Sequence, residues 1–165
     1  MIAHAQWIRK RLGEDVPVIF IGPCIAKKAE AERYSGDQRI DCVLTFSELE
    51  MWLEREEIDL ASCEESDFDE MPHGHARLFP LEGGMVRTAG WAADMLDREV
   101  IALSGFENVA DAVDQRGYRV LEPLFCRHGC TGGPGVRGDG EAFGARRQII
   151  QYESETATGE RSDTA

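Results

Sequence analysis

Two cysteines stand close together in a glycine-rich segment, Cys126–Gly135, which reads CRHGCTGGPG. Thiols separated by three residues can bind one metal centre, although the same spacing also suits a redox pair or half of a zinc site. The glycines let backbone amides turn toward an inorganic sulfide or another anion, because a missing side chain permits unusual dihedrals and close approach. The candidate cofactor-binding glycines are Gly129, Gly132 and Gly133.

A third cysteine, Cys24, follows Gly22-Pro23 at the end of a predicted strand and the start of a predicted helix. Ligands of open α/β sheets gather at that edge. A helix amino terminus and the nearby Lys27 favour the thiolate, which is the form that binds metal. A cysteine that merely fills a turn is the alternative. Together with the first two, this thiol makes a set of soft ligands, which favours an iron–sulfur cluster or zinc over hard cations.

The remaining cysteines and histidines indicate no second site. The cysteine count of five is odd and the chain shows no export signal, so reduced thiols or metal ligands are expected rather than a disulfide framework. Cys42 lies in a predicted strand and is expected to be a small core residue, whereas Cys63 in an acidic loop is expected to be unliganded. His73 and His75 are expected in a solvated loop.

The elements that must position these residues alternate between strand and helix along the chain. This pattern predicts the α/β class, with a mixed, largely parallel sheet flanked by helices. Residues 1–150 are expected to form one domain, and the polar residues 151–165 a disordered tail. The predicted strands are 16–21, 42–44, 100–103 and 118–121; the predicted helices are 2–12, the segment between Cys24 and Tyr34, 46–55, 84–96, 108–114 and 141–150.

The charge of the chain excludes one class of partner. The formal net charge is −13, and Glu48–Glu70 contains many acidic side chains against the single basic Arg55. Such a surface repels phosphate backbones, so nucleic-acid binding is not expected. A solvated helix face and loop explain the acidic run better than a docking surface for a basic electron carrier. No apolar run approaches the roughly 20 residues that span a bilayer, so a cytoplasmic protein without membrane insertion is expected.

Both cysteine loops resemble loops of a known family, the iron-only hydrogenases, in the H-cluster domain that forms the C-terminal part of their large subunit. The family's middle loop reads Met-Pro-Cys, two residues, Lys, two residues, Glu; here Gly22-Pro23-Cys24, Lys27 and Glu30 match all but the methionine. Its last loop reads Glu, one residue, Met, one residue, Cys, one residue, Gly-Gly-Cys. The segment Glu122–Cys130 follows that frame, with leucine for the methionine and histidine for the first glycine.

Two intervening segments also look like the family's, so the resemblance covers roughly Val16–Gly135. These segments are Asp41–Thr45 and Gly83–Ala89. The combination of two loops is far more specific than either loop alone.

The resemblance implies that Cys24, Cys126 and Cys130 ligate a 4Fe-4S cluster. It further implies that Cys130 bridges to a two-iron subsite, the two parts forming the H-cluster. By the same carry-over, Lys27 would hydrogen-bond a diatomic ligand of that subsite and Glu30 would stand on a proton route. The implied function is hydrogen turnover, or hydrogen or redox sensing.

The departures from the family define the remaining expectations. The family's first loop, Thr-Ser-Cys-Cys-Pro, is absent, so the sequence is expected to be a fragment that alone is inactive and at most incompletely metallated. The glycine pattern after Cys130 looks like that of sensory members. The expected partners are an amino-terminal segment, ferredoxin-like or signalling domains of the same polypeptide, and a redox partner protein. The alternatives are a simple iron–sulfur or zinc redox or signalling module without hydrogenase activity, and a metal-free acidic interaction domain.

Overall fold

Parallel pairs of short strands, each strand followed by a helix or a loop, organise the chain in its computed structural model. The structure describes residues 1–66, 68–70, 72, 74–91, 98–137 and 142–159. The chain divides into two units: Met1–Glu65 together with Gly133–Arg137, and the remainder. None of the helices in these described ranges combines the length and the apolar character needed to cross a bilayer.

The first unit pairs strands β1 and β2. Its elements are α1 (Ile2–Leu12), β1 (Ile19–Gly22), α2 (Ala26–Glu32), β2 (Cys42–Thr45) and α3 (Phe46–Arg55). The strands run parallel, from the pair Ile19 and Cys42 to the pair Gly22 and Thr45. Both strands therefore end at the same edge, where the loop to α2 and helix α3 itself begin. Ala5, Val18 and Ile40 form the buried core beneath them.

A buried ion-pair network closes the opposite end of this unit. Arg9 on α1 is only 2% exposed, and its guanidinium donates to Asp41 Oδ2 at 2.6 Å and to the Arg39 carbonyl at 2.6 Å. The amide of Val18 donates to the same carboxylate at 2.7 Å. Arg39 Nε also donates to Asp41 Oδ1 at 2.8 Å. The pKa of Asp41 is therefore held below its usual range; the Val18 amide is the largest cause, and the hydrogen bond from Arg39 follows.

The second unit pairs strands β3 and β4. Its elements are α4 (Gly84–Thr88), β3 (Val100–Ser104), α5 (Phe106–Asp114), β4 (Val120–Leu124) and α6 (Ala142–Gly159). The strands are parallel, with Val100 opposite Val120 and Ser104 opposite Leu124. Within the described residues β4 pairs with β3 alone, and such an edge position tolerates Pro123, which has no amide hydrogen to donate. The loop that follows β4 carries Cys126 and Cys130.

The α/β class, the parallel pairing and the flanking helices are confirmed, and all four predicted strands are present. In the described ranges the strands form two separate pairs instead of one sheet. Helix α4 ends at Thr88, and the predicted continuation over 92–96 lies outside the described residues.

Helix α6 extends into the segment that the sequence predicts as a disordered tail. Helix α6 continues from Ile150 to Gly159, whereas residues 160–165 lie outside the described part. Contacts within the second unit explain the continuation: Glu153 pairs with His75 at 2.6 Å, and the Arg77 guanidinium lies 5.9 Å from the centre of the Tyr152 ring. A polar composition alone did not reveal these anchors.

Candidate metal centre

Cys24 lies at the edge of the first unit where both parallel strands end. It follows β1 through Gly22-Pro23 and precedes α2, and its side chain is half-buried. The Lys27 amide donates to the Cys24 carbonyl at 3.2 Å, so the cysteine stands at the first turn that leads into the helix. This is the strand-to-helix position that the sequence predicts.

Lys27 and Glu30, the candidate catalytic residues, contact each other. The Lys27 ammonium donates to the Glu30 carboxylate one turn further along α2. Both side chains remain partly open to solvent, 32% exposed for Lys27 and 23% for Glu30. An ammonium held by a carboxylate keeps a defined position at the start of the helix, three residues after Cys24 in the sequence.

A second ion pair holds α2 against the start of α3. The Lys28 ammonium donates to Glu48 Oε1 at 2.8 Å, while Glu48 Oε2 accepts from the Thr45 amide at 2.8 Å. The Thr45 hydroxyl in turn accepts from the Glu48 amide at 3.2 Å, which completes the predicted capping box. The hydrogen bond from Lys28, followed by those from Thr45, lowers the pKa of Glu48 to about 2.

Cys126 and Cys130 share one loop of the second unit, and both are half-buried. The Cys130 amide donates to the Pro80 carbonyl at 2.8 Å, and the Gly129 amide donates to the Cys126 carbonyl at 3.1 Å. His128 and Gly129 adopt left-handed φ values of 66° and 72°. Two successive left-handed residues turn the chain sharply between the thiols. The hydrogen bond from the Cys130 amide to Pro80 holds that turn against the rest of the second unit.

Two glycines of this loop, Gly129 and Gly132, are required by contacts within the protein itself. A Cβ on Gly129 would stand 2.5 Å from the Pro80 carbonyl oxygen, and one on Gly132 would stand 2.2 Å from the Arg127 carbonyl oxygen. Backbone packing therefore explains both positions. A role of Gly129, Gly132 and Gly133 toward a cofactor stays a prediction.

Glu122 has a structural role that sequence reasoning missed. Its carboxylate is 3% exposed and accepts from the Gly83 amide at 3.1 Å and the Val86 amide at 2.8 Å. A Cβ on Gly84 would stand 1.8 Å from the Leu78 carbonyl oxygen, so only glycine fits there. The Glu122 carboxylate therefore ties the segment around Gly83 to the strand that precedes the cysteine loop. An acid inside an apolar strand is the sequence signal that could have indicated this.

The other predicted metal-binding side chains give a mixed outcome. The five cysteines form no disulfide, and Cys63 is exposed. Cys42 is also exposed, so its assignment to the core is wrong: it is the first residue of β2, and burial increases only toward the end of the strand. His75 bonds Glu153, whereas His73 lies outside the described residues.

In the part of the chain that the structure describes, no three His, Cys, Asp or Glu side chains form a group that could hold a metal ion. The two thiols of the last loop belong to one unit and Cys24 belongs to the other. The donor chemistry suits a cluster, because thiolates are the ligands of iron–sulfur centres. A 4Fe-4S cluster takes four of them, so the three candidate cysteines would fill all positions but one.

Comparison with known proteins identifies the class. Residues 1–134 match the family described as iron only hydrogenase large subunit, C-terminal domain, and the chain therefore belongs to this family. No curated protein matches it.

Solved structures show the same fold. A structure reporting stepwise FeFe-hydrogenase H-cluster assembly in HydA is similar with a TM-score of 0.59 and 19% identity, covering 89% of this chain and 56% of that chain. A variant of FeFe-hydrogenase HydA1 from Chlamydomonas reinhardtii is similar with a TM-score of 0.59 and 19% identity, covering 90% of this chain and 57% of that one. The chain thus spans little more than half the length of these hydrogenases. The comparisons confirm the family resemblance and the α/β fold.

Proposed function

We propose that this chain contributes Cys24, Cys126 and Cys130 as ligands to a 4Fe-4S cluster of the H-cluster type, in a protein that turns over or senses hydrogen. The observation that carries the proposal is the family match over residues 1–134, a range that contains all three cysteines. When bound, such a cluster would transfer single electrons, and an attached two-iron subsite would supply the hydrogen chemistry.

The local structure of the chain supports these roles. Cys130 is anchored by its amide to Pro80 at 2.8 Å, which preorganises one thiolate. Lys27, held by Glu30, would present a fixed ammonium to an anionic ligand. Glu30 would hold or release a proton at its carboxylate, and its bond to Lys27 would couple that proton to the position of the ammonium.

The test is anaerobic reconstitution of the whole chain with ferrous iron and sulfide, with and without a small exogenous thiol as the fourth ligand. Iron and acid-labile sulfide are counted after gel filtration. We expect little retained iron without the added thiol and a near-stoichiometric cluster with it, because cluster affinity depends on a complete ligand set.

Serine variants separate ligands from bystanders. Cys24→Ser, Cys126→Ser and Cys130→Ser should each abolish or sharply reduce the retained iron. Cys42→Ser and Cys63→Ser are matched controls, since both thiols are exposed, and should retain the wild-type amount. Equal iron in all five variants would contradict the proposal and favour a metal-free interaction domain.

A simple cluster or zinc module without a two-iron subsite is the second candidate. One specific observation favours it: Leu124, 8% exposed at the end of β4, stands where the family has a methionine, so the chain lacks that thioether. Infrared spectra of the loaded holoprotein distinguish the two. Carbon monoxide and cyanide bands support the H-cluster, whereas a cluster without such bands, or zinc in place of iron, supports the simpler module.

A further inference from the structure

The segment Gly133–Arg137, which leaves the last cysteine loop, belongs to the unit that contains Cys24. Its central residue, Gly135, makes two backbone hydrogen bonds there. The Gly135 amide donates to the Pro23 carbonyl at 3.1 Å, and the Gly135 carbonyl accepts from the Ser47 amide at 3.1 Å. Pro23 immediately precedes Cys24, so this segment bonds directly to the Cys24 loop.

Space, and not backbone conformation, requires glycine at position 135. A Cβ there would stand 2.5 Å from the Pro23 carbonyl oxygen and 2.9 Å from Thr45 Cγ2. Thr45 is only 4% exposed and forms the capping box of α3, so it has little freedom to move away. Any side chain at 135 would therefore push the segment off the Pro23 peptide.

An arginine at the end of the same segment attaches it to α3. Arg137 Nη1 lies 2.9 Å from Glu54 Oε1, and Arg137 Nε lies 3.5 Å from Glu50 Oε2. The two glutamates are one helical turn apart, so they face the arginine together. Part of the acidic run thus forms ion pairs with Arg137, so these two carboxylates have a structural role in addition to being solvated.

We propose that Gly135 and Arg137 are positioning residues for the Cys24 loop. Gly135 fixes the peptide that precedes the cysteine, and Arg137 keeps Gly135 in register by holding the segment on α3. Cys130 lies five residues before Gly135 in the sequence, so the segment that hydrogen-bonds to the Pro23 peptide directly continues the chain that carries Cys130. The purpose of this positioning, to present thiolates to a cluster, rests on the proposed function.

The test uses the whole chain in two states. Without metal, the alkylation rate of the Cys24 thiol is measured by peptide mass spectrometry, with Cys63 as the internal reference, and hydrogen exchange reports on the segment that contains Gly135. After reconstitution, the rate of iron loss to a chelator is measured. Circular dichroism checks that each variant is folded.

We expect Arg137→Glu to raise exchange around Gly135 and to change the Cys24 alkylation rate by about two- to five-fold, the range that an exposed ion pair supports. Arg137→Lys should stay close to wild type. The double variant Glu54→Arg with Arg137→Glu should return hydrogen exchange and the Cys24 alkylation rate most of the way to wild type. A general loss of stability would not show this rescue. Gly135→Ala should change the hydrogen exchange and the Cys24 alkylation rate more than Arg137→Glu does. The alkylation rate of Cys63 should be the same in every variant.

The outcomes separate this inference from the proposed function. Unchanged Cys24 alkylation and exchange in folded Arg137→Glu would overturn the positioning role, whether or not a cluster forms. Altered Cys24 alkylation in a protein that never retains iron would support the positioning role and refute the cluster. Faster iron loss in Arg137→Glu, reversed by the charge exchange, would support both.

Discussion

Removal of the Glu122 carboxylate should destabilise the second unit strongly. The carboxylate is 3% exposed and accepts from the Gly83 and Val86 amides at 3.1 and 2.8 Å. Glu122→Ala removes both bonds and leaves two amide donors without their acceptor, while the site is too closed for bulk water to replace it easily.

The expected size follows from these two bonds. A hydrogen bond to a charged group contributes about 1.5–3 kcal/mol, so the loss of two gives about 3–5 kcal/mol for Glu122→Ala, because the two are not fully additive. Glu122→Gln keeps one carbonyl oxygen but turns an amide group toward the second donor. The expected cost of Glu122→Gln is about 1–3 kcal/mol.

Urea unfolding followed by tryptophan fluorescence measures this loss. Trp7 and Trp52, 45% and 50% exposed, lie in the first unit and can be replaced by phenylalanine, which leaves Trp91 as the reporter of the second. Glu99→Gln is the matched control, since its side chain is 58% exposed and pairs with Arg119 at 3.1 Å. We expect less than about 1 kcal/mol for this control. A Glu122→Ala value no larger than the control value would refute the structural role of the carboxylate.

Three further perturbations probe the framework of the two units. The pKa of Asp41 is lowered by the Val18 amide first, so its stabilisation is present above the unfolded-state pKa of about 4 and lost as the pH falls through the folded value. Asp41→Asn should therefore lower the urea midpoint at neutral pH and flatten its decline below about pH 4. Gly84→Ala places a methyl group 1.8 Å from the Leu78 carbonyl oxygen and should cost about 3 kcal/mol or more in chemical unfolding. Arg9→Met removes the buried guanidinium but leaves Asp41 its bonds from the Val18 amide and from Arg39, so it should cost about 1–3 kcal/mol by the same assay, an expectation that a neutral result would contradict.

Features with local causes could be predicted from the sequence. The apolar run before Gly22 predicted β1, although the strand begins only at Ile19, after Pro17, which has no amide hydrogen for a ladder. The pairing of Thr45 with Glu48 predicted the start of α3, since a capping box needs only residues three apart. Both signals are complete within a few neighbouring residues.

Features that depend on distant partners could not be predicted. Glu122 bonds amides 36 to 39 residues earlier in the chain, and Gly135 bonds a carbonyl 112 residues earlier. Glycines are common in loops for conformational reasons, so nothing local reveals that position 135 is restricted by the Pro23 carbonyl. The extension of α6 likewise depends on His75, which is 78 residues from its partner Glu153.

Cys42 illustrates a third kind of limit. Its place in an apolar strand favours burial, yet the strand pattern leaves its first residue exposed and its last, Thr45, buried. A strand as short as four residues gives too few alternations to show which face is covered.

The most direct test of the account is the electron paramagnetic resonance spectrum of the dithionite-reduced protein after anaerobic reconstitution with iron, sulfide and an added thiol. We predict a 4Fe-4S signal in wild type and in Cys63→Ser, and its loss or a clear change in Cys24→Ser, Cys126→Ser and Cys130→Ser. A full wild-type signal in Cys24→Ser would contradict the claim that this thiol and the two cysteines of the last loop hold one cluster.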